Sequence, residues 1–143
     1  MHRLCLLLLF VFALVIGAAP AGATTFVINE VVANHVGTDS HEYVEIYFQS
    51  GNYDLSGNVI LQIEGDGTGA GIVDGVYPLG TTDANGYWTT GYLSNVLENG
   101  TMTLLLVNSF TGAVGDDLDP DNDGVLDSEP WYNGLIYSSV AIS

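Results

Sequence analysis

The chain has 143 residues, enough for one domain with its own core. One Lys or Arg stands against 17 Asp and Glu, a formal net charge of −16. Nucleic-acid binding starts with Lys and Arg on phosphates, so this composition argues against direct contact with DNA or RNA, and anionic membranes repel such a chain for the same reason.

Residues 1–23 read as a secretory signal peptide. Arg3 supplies a short basic start, Leu4 to Ile16 an apolar run, and Ala21-Gly22-Ala23 a small-residue cleavage site. The apolar run falls short of the roughly 20 residues that span a bilayer. The expectation is a domain over 24–143, secreted to the extracellular space or the periplasm and free of the membrane after cleavage. Cleavage removes Arg3, which takes the charge from −16 to −17, and it removes the single cysteine, Cys5. The mature domain then has no disulfide, and a bound metal becomes a possible source of extra stability.

The predicted elements are strands. TFVINEVVA (25–33) is the first. EYVEIYFQ (42–49) is the clearest, with Val44, Ile46 and Phe48 alternating against Tyr43, Glu45 and Tyr47. After the turn SGNYDLSG come NVILQIEG (58–65), the flexible connection GDGTGAG (65–71), and IVDGVYPL (72–79). GYWTT (86–90) is a short strand. TMTLLLVNSF (101–110) is apolar on both faces and reads as central, and LIYSSVAIS (135–143) is the last strand. Seven or so short strands separated by turns predict an all-β fold of the sandwich kind. The last run either closes the domain or marks a sequence cut short at Ser143.

VINEVVAN, a loop, and then EYVEIYFQSGNYDLSG resemble the opening of the lamin tail domain family. LENGTMTLLLVNSFTGAVGDDLDPDNDGVLD, followed by Trp131 and a strand, is similar to a bacterial secreted subgroup of that family, whose domains often accompany extracellular endonuclease/phosphatase domains. The resemblance covers about residues 26–143 and implies an immunoglobulin-like β-sandwich. One departure is that Asn58 stands where the family has Trp after the DLSG turn.

The stretch DLDPDNDGVLD (117–127) matches D-x-D-x-D-G-x-x-D from Asp119. Calcium takes six to eight oxygens, and the first positions of such a loop supply them. Asp119, Asp121 and Asp123 would be the first three ligands, Gly124 would permit the sharp turn, the Val125 carbonyl would follow, and Asp127 would bind directly or through water. Pro130 occupies the place of an EF-hand's bidentate Glu, so this is not a full EF-hand; Asp117 or Asp116 would supply a further oxygen. The expected cofactor is a structural Ca²⁺ held by Asp117, Asp119, Asp121, Asp123, Val125 and Asp127. Zinc is disfavoured by the lack of cysteine and magnesium by the number of carboxylates.

Other candidates are weaker. His35 and His41, with Glu30, Asp39 and Glu42, could form a second metal or acid–base site, although loop histidines in an acidic chain are more often solvated. Glu42 and Glu45 fall on opposite faces of their strand and cannot act as a facing carboxylate pair. GDGTGAG lacks the Lys and Ser/Thr of a phosphate loop. Tyr87, Trp88, Tyr92, Trp131 and Tyr132 could stack on sugar rings, but the two tryptophans read first as core. No catalytic residue emerges. The expected function is a secreted, non-catalytic, calcium-stabilised binding, adhesion or scaffolding module with a protein or glycan surface partner. The alternatives are the front module of an extracellular nuclease whose catalytic domain lies in a longer chain, and a calcium-dependent carbohydrate-binding domain.

Overall fold

The computed structural model describes residues 26–143; the signal peptide expected over 1–23 lies outside them. Seven strands follow in order: β1 (Phe26–Val32), β2 (Tyr43–Phe48), β3 (Asn58–Glu64), β4 (Val73–Pro78), β5 (Tyr87–Thr89), β6 (Met102–Asn108) and β7 (Ile136–Ile142). They form two antiparallel sheets, one ordered β1-β2-β5 and the other β4-β3-β6-β7. Among the described residues, helix is confined to two single 3-10 turns, Gly67–Gly69 and Tyr132–Gly134, and none is long and apolar enough to cross a membrane.

The alternation in β2 sets the inner face. Val44, Ile46 and Phe48 point inward and are essentially sealed from solvent, while Tyr43, Glu45 and Tyr47 face out. They meet Ile60 of β3 and Met102, Leu104 and Leu106 of β6, so the main core lies between the sheets of a β-sandwich. Leu55, from the DLSG turn, is sealed into this core. Asn58, at the position of the expected Trp, uses its side chain to fix the turn. Its Nδ2 donates to the Leu55 carbonyl at 2.8 Å, and its Oδ1 accepts from Asn108 at 3.0 Å.

β3 and β6 are buried on both faces. In register, Ile60 faces Leu106 and Gln62 faces Leu104 on the inner side, while Val59 faces Val107 and Leu61 faces Leu105 on the outer side. The outer residues need a second cover, and the chain between β6 and β7 supplies it. Leu118 and Trp131 join Leu61, Ile63, Val73, Leu105 and Val107 in a second apolar cluster, flanked by Phe110 and Leu126. The acidic loop is therefore a third layer, laid over the outer face of the four-stranded sheet.

Backbone hydrogen bonds fix that layer in place. Val73 N–H donates to Asp116 O at 2.9 Å, Gly115 N–H to Val73 O at 2.8 Å, and Leu118 N–H to Gly71 O at 3.0 Å, so 115–118 runs along the β4 side as a short extra edge. The connection expected to be flexible, 65–71, is a closed turn in which Gly71 N–H donates to Glu64 O at 2.9 Å. Gly71 has φ +88°, and a Cβ there would lie 2.7 Å from Asp119 Cβ and 3.0 Å from its nitrogen. Only glycine allows the acidic loop to approach this closely.

Candidate metal centre

The loop 117–127 folds around its own carboxylates. Asp119 is 4% exposed, sandwiched between the loop and the sheet. Its two oxygens accept from Asp123 N–H at 3.2 Å and Gly124 N–H at 2.9 Å. Asn122 (φ 55°) and Gly124 (φ 83°) take the left-handed backbone that turns those amides inward. Burying a carboxylate is costly unless it is paired or hydrogen-bonded. Two amides satisfy part of the acceptor capacity of Asp119 and leave lone pairs on both oxygens free for a cation.

Asp119, Asp121 and Asp127 each bring one carboxylate oxygen within 4.8 Å of the others. Asp127 is held there by its N–H, which donates to Leu118 O at 2.7 Å. The same buried leucine thus anchors the layer and one ligand. The other two expected carboxylates are turned to the backbone. Asp117 Oδ1 accepts from Asp119 N–H at 3.1 Å, and Asp123 Oδ1 from Val125 N–H at 2.8 Å, while Val125 itself is exposed. Asp119 and Asp121 accept backbone amides as well, so all four aspartates shape the loop, and three of the six expected ligand residues converge.

Electrostatics at the centre favour a cation. The Asp123 N–H bonded to Asp121 stabilises its charge, but the Asp123 carboxylate, burial, Asp127 and Asp119 together outweigh it, and Asp121 is held above its ordinary pKa. Beside the loop, a cavity of about 340 Å³ opens between Asp119, Gly124, Leu126, the outer sheet residues Ile63 and Leu105, and Glu64 at the end of β3.

A second acidic group was not visible in the sequence, because its members come from three separate segments. Glu64 of β3, Asp74 of β4 and Glu98 of the loop before β6 also bring single oxygens within 4.8 Å of one another. Glu64 and Glu98 are partly committed to the amides of Gly65, Asp66 and Gly100.

The histidine candidates separate. His35 and His41 stand edge to face, with centroids 5.4 Å apart, but His35 is engaged with its own loop: its Nε2 accepts from Ser40 N–H at 3.0 Å, and its Nδ1 lies 3.1 Å from Val36 O. Asp39 caps the same loop. Glu42 stands apart, fully buried on the inner face of the sandwich, where its Oε2 accepts from Val96 and Leu97 N–H at 2.7 and 3.1 Å. Trp131 is core at 6% exposure and Trp88 packs against the inner cluster, so the exposed rings are tyrosines, above all Tyr92 and Tyr132. Comparison with protein-family models, curated proteins and solved structures returns no match.

Proposed function

We propose that this chain is a secreted, non-catalytic module with a lamin-tail-like, immunoglobulin-like β-sandwich that uses Ca²⁺ as a structural clip and presents its surface for binding, adhesion or scaffolding. The reading is carried by the convergence of Asp119, Asp121 and Asp127 on a loop that also covers one face of the sandwich. Unneutralised, these carboxylates repel one another and work against the apolar contacts of Leu118, Leu126 and Trp131. A bound Ca²⁺ would supply the missing positive charge, with Asp119, Asp121 and Asp127 as carboxylate ligands and further oxygens from the loop carbonyls and water. Folding is then coupled to arrival in a calcium-containing medium, where sites as weak as about 0.1–1 mM are useful.

Calorimetric titration of the purified chain with calcium, with thermal melts alongside, tests this reading. We expect saturation near one ion per chain. At a calcium concentration of about 100 times Kd, stabilisation is about 2.7 kcal/mol. Asp119→Asn combined with Asp121→Asn should abolish the response. Identical melting in calcium and in chelator would refute the calcium clip.

A further inference from the structure

The sandwich has a second built surface, on the outer face of the three-stranded sheet and so on the opposite side from the acidic loop. Tyr43, Glu45, Thr89, Gly91 and Tyr92 line a cleft of about 250 Å³ there. The Tyr43 and Tyr92 rings form two walls, with centroids 6.2 Å apart and planes at 71°. His41 extends the Tyr92 wall at 4.9 Å. Tyr92 is 73% exposed, although a large apolar ring usually finds cover.

We propose that this cleft binds an alkylammonium group, the lysine side chain of a basic protein partner. Aromatic faces attract cations through the ring quadrupole, and Glu45 adds a full negative charge beside them. Residues 26–143 contain no Lys or Arg, so no lysine or arginine among the described residues occupies the cleft. Its volume falls below the roughly 300 Å³ at which pockets for drug-sized ligands begin, which suits one side chain better than an extended ligand.

The carboxylate geometry favours lysine over arginine. Glu45 Oε1 already accepts from Asn29 Nδ2 at 2.7 Å, which leaves Oε2 as the one oxygen without a partner and one lone pair on Oε1. A single uncommitted oxygen suits a point-charge ammonium better than a guanidinium fork, which is matched by two. Tyr43 stays a neutral ring: its hydrogen bond to Glu30, then burial, and the charges of Glu30 and Glu45 all raise its phenol above the ordinary value. The inference rests on the binding-module reading but needs no bound calcium.

Calorimetry with the purified chain at physiological salt tests it, using pentalysine peptide, free spermidine and cellopentaose as probes. Tyr92→Ala removes an exposed ring and no charge, and should weaken pentalysine binding about tenfold. Glu45→Gln should do the same, while Asp74→Asn, with an equal charge change on the other sheet, should leave it within about twofold. Three results overturn the proposal. Pentalysine binding untouched by Tyr92→Ala means diffuse attraction to an acidic surface. Spermidine bound as tightly as pentalysine, and lost with Tyr92→Ala, means a free polyamine site. Cellopentaose bound and lost with Tyr92→Ala means a glycan site. Running each titration in calcium and in chelator keeps the two readings apart. Lysine binding that survives alongside an absent calcium response sinks the clip alone; a calcium response with Tyr92-independent lysine binding sinks this inference alone.

Discussion

Leu118 is the residue on which the third layer turns. It sits inside an acidic run, between Asp117 and Asp119, yet is 1% exposed. Its N–H donates to Gly71 O at 3.0 Å, and its carbonyl accepts from Asp127 N–H at 2.7 Å. Truncation to alanine deletes its packing against the outer face of the four-stranded sheet and leaves a cavity that the pinned backbone can only partly close. Buried Leu→Ala changes cost about 2–5 kcal/mol, and a loop that can settle inward places this one at about 3 kcal/mol. With an m-value of about 1.5 kcal/mol/M, the urea midpoint should fall by about 2 M. Intrinsic fluorescence is a direct assay, because Trp131 belongs to the same cluster. Calcium affinity should weaken as well, since Leu118 positions Asp127. Gly71→Ala gives a second route to the same end, because its Cβ would displace Asp119 directly. If Leu118→Ala costs less than about 0.5 kcal/mol, the range of an ordinary surface change, the loop is a solvated appendage and the layered description fails.

Two further outcomes follow from the buried and capping carboxylates. Glu42→Ala should cost about 2–4 kcal/mol in urea melts by stranding the amides of Val96 and Leu97, whereas Glu42→Gln keeps an acceptor and should stay within about 1 kcal/mol of the parent. In acid, the caps lose their hold. Tyr87 N–H lowers the pKa of Asp83, Ser56 that of Asp54, and Asn99, then His35 N–H, that of Asp39, each below the ordinary 3.8. A lowered folded pKa contributes stability that is present above 3.8 and lost as pH falls through the folded value. Asp121 is raised, so its contribution is present below 3.8 and lost as pH rises through the folded value. Melts in chelator between about pH 2 and 6 should therefore show Asp83→Asn blunting the acid loss and Asp121→Asn gaining on the parent toward the upper end. An acid limb unchanged by Asp83→Asn would refute the capping role.

Local periodicity revealed what period-2 burial controls. In β2, the phase of Val44, Ile46 and Phe48 marked the inner face, and the same phase carries Glu42 inward, away from Glu45. The double-sided apolar pattern of β6 marked a central strand. What covers its second face was hidden, because Leu118, Leu126 and Trp131 are spaced with no strand or helix period in a stretch dominated by charge. The informative signals were indirect: an outer face on β3 and β6 that required cover, and a glycine at position 71 where a close approach demanded one. The metal motif was legible as a set of carboxylates and not as a geometry. Asp117 and Asp123 read as equal to Asp119, Asp121 and Asp127, but only the last three bring carboxylate oxygens within 4.8 Å of one another. Glu64, Asp74 and Glu98 meet only through tertiary folding, which a motif confined to one stretch of chain cannot report.

The acidity itself has a structural logic that precedes any ion. Without Lys or Arg in residues 26–143, carboxylates here find their donors mainly in the backbone. Asp83 accepts from Asn85 and Tyr87 N–H, Asp54 from Ser56, Asp116 from Ala113, and Asp119 from Asp123 and Gly124. Such bonds build turns, because a short carboxylate reaches amides two to five residues along the chain. They explain why the aspartates gather in the loops between strands. Backbone amides satisfy geometry but carry no net charge, so each turn made this way leaves the charge of its carboxylate uncancelled. At isolated turns, water screens that charge. At 119–127 three carboxylates converge beside an apolar layer, Asp119 buried and Asp121 and Asp127 exposed, and their mutual repulsion adds to the cost of the buried charge. That is where a cation gains the most, and where the stability of the fold should depend most on the medium around it.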